Sequence, residues 1–503
     1  MTIAPASYIR LVLAVTLTIS GLLAPAISFA SPPPDPAPAT SLQFKASGKT
    51  AASSLPLPQL RALAGRGAGP SAAITPTAPS LLNPRPECPP GLTCKFVPAA
   101  YQQDDPADPS NYGNYDLANR PSGGLRSQPG VGLAINSVVI HDTEGSLANT
   151  LAVFQDPTQY RSAHYVIDTD GTVYQMIQTK NVAWHAGNWY VNEHSIGIEH
   201  VGHAAQGGTE YTPAMYRSSA LLVRYLASRF NIPLDRQHIV GHDNVSAPIP
   251  GLMAGMHYDP GPFWNWQYYQ ALLGIPVVPT AALGSPLVTI APNWPINQPP
   301  TIGCAPDGSN CAPLPKQPAN FVYLHTAPSD TAPLLSDAAL HPDGSPGTIH
   351  IDDWSATAAY GQQFALADHH DDWTAIWYAG QKAWFRNPAQ ILAALPTRGQ
   401  LIKPRADLAS IPVYGRAYPE AAAYAGKQVP VQAIMPIQYT IPAGQAYATT
   451  GPVPTDYYWS WYIDASFNPD DHTVIVGTER YLEIQLGHRT AYVKASDVDI
   501  STN

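Results

Sequence analysis

Three short stretches constrain this chain more than any other feature: VVIHDTEG around His141, VGHDNV around His242 and HYDPGP around Asp259. Each sets a good metal ligand beside small or turn-forming residues. They lie far apart along the chain, so only a fold that brings three distant loops together can use them. Two imidazoles and one carboxylate, with a fourth position left open, form the ligand set of a catalytic rather than a structural zinc.

A length of 503 residues suggests about three domains. Only 12 % of residues are charged, the net charge is −10 and no Lys/Arg-rich run occurs, so nucleic acid is not an expected partner. After Arg10 comes an apolar run, Leu11 to Leu23, then Ala24-Pro25-Ala26 and the small-residue pattern Ser28-Phe29-Ala30. This is the layout of a secretory signal peptide over 1–30, with cleavage after Ala30. The competing reading is an uncleaved anchor, for which the run is short against the roughly 20 residues a spanning helix needs. No Cys follows the run, which disfavours a lipoprotein. A secreted, extracellular chain with no transmembrane segment after signal removal is therefore expected.

The four cysteines form two close pairs, Cys88 with Cys94 and Cys304 with Cys311. An even count in an exported chain reads as disulfides. Pairing within each short loop is preferred, and pairing across the two loops is the alternative. The spacings are not the two-residue kind that zinc ribbons use.

Residues 31–105 are rich in Pro, Ala and Ser and read as a disordered linker, and 276–318 reads as a second, Pro-rich one. Between them, 106–275 carries dense periodic signals. Ser137–Ile140 is an apolar run ending at His141. Ala163–Ile167 and Thr172–Ile177 flank the turn residues Asp168-Thr169-Asp170-Gly171, a hairpin pattern. Ser195–Glu199 and His238–Val240 are further strand candidates. Thr212-Pro213 opens a helix with a hydroxyl cap and Pro in the first position. Leu221, Leu222, Tyr225, Leu226 and Phe230 keep helical spacing along it. The prediction is an α/β domain with a mixed sheet flanked by helices. The remainder, 319–398 and 399–503, is aromatic-rich and built of strand–turn–strand units, read as two small all-β SH3-like barrels.

The 106–275 block resembles the zinc-dependent N-acetylmuramoyl-L-alanine amidase family, whose fold is shared by peptidoglycan recognition proteins. The matching stretches are VVIHDTEG, SAHYVIDTDGTVYQMI, VAWHAG, HSIGIEHVG, IVGHDNV and MHYDPGPFWNW. Any one is a weak signal; six in the family's order are a specific one, and they cover about a third of the chain. The resemblance implies Zn2+ held by His141, His242 and Asp259. It also implies an acid/base carboxylate at the IGIE position, Glu199, which ends an apolar strand where nothing structural calls for a charge. The family commonly has Lys two residues before the Asp ligand; here that position is His257, which could donate to a developing oxyanion. Trp184 and His185 of WHAG are expected to line the substrate groove, with core packing an equal alternative for Trp184; His164 is placed with the substrate-binding set, its main reading being packing or hydrogen bonding near the site. His194, His200, His203 and His238 are expected to be bystanders.

The expected function is that of an exported, monomeric zinc hydrolase that cuts the amide between N-acetylmuramic acid and L-alanine in peptidoglycan. The SH3-like units would hold it on the wall. The rival is a peptidoglycan-binding protein of the same fold that does not cut. A more distant one is a hydrolase of soluble muropeptides, which the signal peptide disfavours in the cytosol.

Overall fold

The computed structural model describes residues 85–101, 114–116, 118, 120, 133–304, 310–427, 429–432, 434–460 and 472–503. The signal peptide and residues 31–84 and 102–105 of the first linker lie outside the described residues. All described residues belong to one compact unit, Phe44–Asn503. Among them, no helix is long and apolar enough to cross a membrane.

The central sheet has six strands: β1 Cys94–Phe96, β3 Ser137–Asp142, β4 Tyr165–Ile167, β5 Val173–Gln175, β7 Ser195–His200 and β8 Ile239–Gly241. Their order is β1-β5-β4-β7-β3-β8. A separate pair joins β2 Tyr115–Asp116 to β6 Val182–Ala183. Strands β4, β7, β3 and β8 run parallel, while β4 and β5 are the antiparallel hairpin that the Asp-Thr-Asp-Gly turn predicts. Gly171 in that turn has φ +85°, which glycine adopts without a Cβ penalty. The near-continuous apolar run in β3 fits a parallel strand covered on both faces.

Side chains alternate across these strands. Val138, Ile140, Ile196, Ile198 and Ile239 join one core with two helices, α3 Pro213–Phe230 and α4 Trp266–Leu273. Helix α3 follows α1 Leu147–Phe154 and α2 Trp189–His194 in the chain. It starts as the sequence predicts, with the Thr212 side chain accepting from the Met215 amide and Pro213 in the first turn. Leu221 departs from expectation, being 50 % exposed. The buried arc runs through Met215, Ser219, Leu222, Val223 and Leu226, and Leu221 falls just outside it. Trp264 and Trp266 are fully buried, and Arg236 stacks over Trp266 at 3.7 Å.

Both expected linkers contribute to folded structure. At the end of the first, β1 pairs in parallel with β5. Glu87, just before it, forms an ion pair with Arg229 at 2.8 Å and accepts from the Thr179 amide at 2.7 Å. In the second, Leu287–Ile290 is buried along its whole length. It is a strand between Gln363–His370 and Ala394–Pro396. Proline-rich composition misled the reading because the prolines flank short apolar runs instead of interrupting them. The cysteines pair within each loop, Cys88–Cys94 and Cys304–Cys311.

Beyond residue 319 the structure is rich in antiparallel strands, in two main sheets. A five-stranded one runs Gln381–Arg386, Trp373–Tyr378, Gln363–His370, Leu287–Ile290, Ala394–Pro396. A seven-stranded one runs Pro436–Pro442, Ser410–Tyr414, Thr490–Lys494, Tyr481–Gln485, Tyr447–Pro452, Gln400–Pro404, Val498–Thr502. Both strand–turn–strand units are hairpins. The first turns through Ala379 and Gly380, both at positive φ, as a tight hairpin turn requires. The expected boundary at 319 does not match the five-stranded sheet, which takes Leu287–Ile290 from upstream.

Candidate metal centre and active site

His141 is placed by β3, His242 by the turn that follows β8, and Asp259 by a loop before α4. Strands β3 and β8 are hydrogen-bonded neighbours, so their C-terminal ends deliver the two imidazoles side by side. His141 Nδ1 lies 3.1 Å from one Asp259 oxygen and His242 Nδ1 lies 3.0 Å from the other. The three ligand atoms all fall within 4.8 Å of one another, and all three residues are buried. The Asp243 amide donates to the Asp259 carbonyl at 2.8 Å, tying the two loops together, and Asn244 Oδ1 accepts from the Gly241 amide at 3.1 Å, bracing the His242 turn.

Burial opposes ionisation of Asp259, but His242 and the hydrogen bonds from His141, His242 and His257 outweigh it and hold the carboxylate well below its usual range. His242 is pushed down to about 4, chiefly by burial, with Asp259 opposing, so at neutral pH it is the uncharged imidazole that binds metals. Ligands of a zinc ion stand about 2.0–2.2 Å from it, hence roughly 3.3 Å from each other in a tetrahedral set. The two His–Asp distances, 3.1 and 3.0 Å to different Asp259 oxygens, are close to that. Two buried polar atoms, His242 Nε2 and Glu199 Oε2, have no protein partner. The donor set and its spacing fit a zinc ion. A second group, Cys304, Cys311 and His350, also clusters, but its sulfurs are joined in the disulfide and supply no thiolate.

Glu199 is in register with His141 across the parallel β3–β7 pair. In-register residues on adjacent strands share a face, so the sheet itself sets the carboxyl beside the ligand set. Burial, then Asp259 and Asp142, raise its pKa well above the usual carboxylate range, with Arg161 opposing. A carboxyl so placed takes up a proton more readily than an exposed one. His257 is 62 % exposed at the side chain, with Nδ1 3.5 Å from Asp259. The hydrogen bond with Asp259 is the chief cause of its raised pKa. It stands at the rim, beside the His242 ring at 4.9 Å.

The expected substrate-binding set is buried instead of groove-facing. His185 sits behind His141, with Nδ1 3.0 Å from His141 Nε2. A single tautomer chain satisfies the whole row. If His141 keeps its Nδ1 lone pair for a metal, its Nε2–H donates to His185 Nδ1. His185 Nε2–H then donates to Ser195 Oγ at 3.2 Å, and the Ser195 hydroxyl donates to the Val191 carbonyl at 2.6 Å. Such a partner fixes a ligand's ring and tautomer. Gly197 makes room for it: a Cβ there would lie 2.5 Å from His185 Cγ. His164 is fully buried, accepts from the Gly197 amide at 3.1 Å and lies 2.8 Å from Arg120. Trp184 is 1 % exposed and its indole N–H donates to Asp116 at 3.1 Å. Apolar and polar contacts inside the domain, not a groove, claim these side chains. His200 is likewise interior, bridging the His141 carbonyl and Ser219 at 2.8 Å each.

Sequence reasoning missed four contributors. Asp142 is buried and accepts from the Tyr211 hydroxyl. Glu144 accepts from the Ala204 amide at 3.1 Å. Arg161, exposed, bears electrostatically on Glu199 and His257. Arg489, near the far end of the chain, holds carbonyls of the ligand loops. The carboxylates lie within HDTEG and could have been flagged there; nothing local marks Arg489.

Residues 131–262 match the family described as Amidase_2, N-acetylmuramoyl-L-alanine amidase. Among curated relatives, N-acetylmuramoyl-L-alanine amidase A of Achromobacter lyticus is 35 % identical over 150 residues, 27 % of this chain and 82 % of that protein. The 1,6-anhydro-N-acetylmuramyl-L-alanine amidase AmpD of Salmonella typhimurium is 32 % identical over 120 residues, 23 % of this chain and 58 % of that protein. Among solved structures, the complex of the amidase AmiD from E. coli with anhydro-N-acetylmuramic acid-L-Ala-D-gamma-Glu-L-Lys aligns at 26 % identity and a TM-score of 0.25. It covers 31 % of this chain and 64 % of that one. The Achromobacter match spans most of a relative's own length, and on that ground the chain belongs to the N-acetylmuramoyl-L-alanine amidase family.

Proposed function

We propose that this protein is an exported zinc amidase that cuts the bond between N-acetylmuramic acid and L-alanine in peptidoglycan. The observation that carries the reading is the convergence of His141, His242 and Asp259 with Glu199 in register beside them. The relatives' names supply the substrate class. The apolar run and Ser28-Phe29-Ala30 pattern at the N-terminus support export to the wall.

His141, His242 and Asp259 would hold the zinc. When bound, it supplies Lewis-acid activation of water and of the amide carbonyl. Glu199 takes the proton from the attacking water and passes it to the leaving nitrogen of L-alanine, which a carboxyl of raised basicity does well. His257 at the rim donates a hydrogen bond toward the carbonyl oxygen as negative charge develops. His185 and Ser195 keep His141 in one ring orientation.

The test is digestion of purified peptidoglycan with zinc-loaded protein, with and without EDTA, followed by detection of new L-alanine amino termini. Equal release with EDTA, or none with zinc, rules the mechanism out. Glu199→Ala is expected to bind the wall yet lose at least a hundredfold in rate; full hydrolysis would remove Glu199 from its role. The rival, a non-cutting peptidoglycan binder, is disfavoured by the intact ligand set and Glu199. Running intact wall and soluble muropeptides side by side separates wall cutting from muropeptide processing, the activity named for AmpD.

A further inference from the structure

The turn Gly487-His488-Arg489 joins two strands of the seven-stranded sheet, yet its side chains reach the loops that carry the candidate ligands. Arg489 Nη1 donates to the carbonyls of His242 at 3.3 Å and Val245 at 2.5 Å. Arg489 Nη2 donates to those of Met256 at 3.4 Å and His257 at 2.8 Å. One guanidinium thus clasps the His242 loop to the segment leading into Asp259. Around it, His488 Nε2 lies 3.0 Å from Asp243, the Asn244 amide side chain donates to the His488 carbonyl at 3.1 Å, and Thr490 Oγ1 donates to the Asn244 carbonyl at 3.3 Å.

We infer that this C-terminal turn is part of the metal centre's framework and that Arg489 is the positioning residue that sets His242 and Asp259 at ligand spacing.

The chemistry explains why arginine stands there. Arg489 is only 3 % exposed and lies over the Trp354 ring at 4.4 Å. A buried cation without a carboxylate in contact is costly unless its donors are used. Here four carbonyls on two loops take the Nη donors, and only Nε is left without a partner. A planar fork with fixed donor directions can span two loops at once, whereas an ammonium is a single point of charge. Burial lowers its pKa, with Asp243 opposing, to about 10, so it remains a cation at neutral pH. The clasp hydrogen-bonds backbone carbonyls and no ligand side chain, so it governs where the ligands stand.

The inference rests on the reading of His141, His242 and Asp259 as ligands, and the experiment separates the two. Full-length protein, stripped of metal, is titrated with Zn2+ against a chelating indicator and with Co2+ by visible absorption, alongside thermal melts. Arg489→Met and Arg489→Lys are both expected to bind Zn2+ about 10- to 100-fold more weakly, the usual effect of losing a ligand's support, and to give an altered Co2+ spectrum. Lysine keeps the charge and most of the bulk, so it decides the matter if the methionine variant does not melt cooperatively. Arg416→Met, a buried cation elsewhere in the C-terminal region, is expected to lower the melting temperature and leave Zn2+ affinity unchanged. Wild-type affinity and spectrum in folded Arg489→Lys would overturn the clasp. His141→Ala is expected to abolish Zn2+ binding; if it does not, the ligand assignment fails, whatever Arg489 does.

Discussion

Gly197 shows how narrowly single positions are set in this site. It lies on β7, two residues before Glu199, and its missing side chain is filled by the His185 ring that backs His141. Gly197→Ala puts a methyl into that ring, and overpacking of this kind costs about 1–3 kcal/mol. Urea unfolding is expected to show that loss, and chelator competition to show weaker Zn2+ retention, because the ring can yield only by leaving His141. Gly197→Ala with wild-type metal affinity would mean that His185 does not orient the ligand. Ser195→Ala is the milder change: it removes the acceptor at the end of the tautomer chain. It is expected to cost about 1 kcal/mol in the same unfolding measurement.

At the scale of elements, the segment before β1 is held by charge as well as by its disulfide. Burial raises the Glu87 pKa, but the Thr179 amide, Arg229, Gln175 and the Thr179 hydroxyl outweigh it, and the net direction is downward from 4.5. A carboxyl held below its unfolded pKa adds stability above that unfolded value, and the contribution fades as pH falls through the folded one. Glu87→Gln is therefore expected to be less stable than the parent at pH 7, by roughly 1–3 kcal/mol. The gap should narrow as denaturation is repeated below pH 4.5; a gap that widened there would contradict the assignment. Helix α3 offers a paired test. Leu222→Ala is expected to cost about 2–5 kcal/mol, while Leu221→Ala on the exposed side should change stability by less than about 0.5 kcal/mol.

The strands and helices of the 133–275 block were largely legible, because their signals are local. The turn residues at 168–171 announce the β4–β5 hairpin, and Thr212-Pro213 announces α3. The candidate ligand residues were legible too, since each sits in a compact motif. The edges of the elements were not. Short strands such as Cys94–Phe96 and Leu287–Ile290 lie in proline-rich surroundings, and only their pairing partners, far along the chain, make them strands. The burial of His185 was equally hidden, because the neighbours that enclose it come from several separate segments.

For the whole molecule, the C-terminal region is packed onto the catalytic block. Asn188 donates to the Gly415 carbonyl at 2.7 Å and Tyr190 to that of Pro454 at 2.7 Å. One apolar cluster joins Val182, Trp184 and Tyr190 to Tyr418, Tyr457 and Tyr492. Removal of 399–503 would open that cluster to water. The truncated protein is expected to aggregate or to melt well below the full chain by differential scanning calorimetry; equal melting temperatures would mean that the two parts are energetically independent. Retention on insoluble peptidoglycan is a separate property, to be measured by pull-down with Glu199→Ala so that cutting does not release the protein.

What the sequence determined alone is the set of candidate chemical groups: two imidazoles and two carboxylates in motifs whose local turns and strands fold by short-range rules. What the tertiary structure decided is their enclosure. Strand pairing sets Glu199 beside His141, a glycine leaves room for His185, and an arginine near the end of the chain clasps two loops. Such contacts depend on packing between separate segments, as far apart as the 247 residues between Arg489 and His242, and no local pattern encodes them.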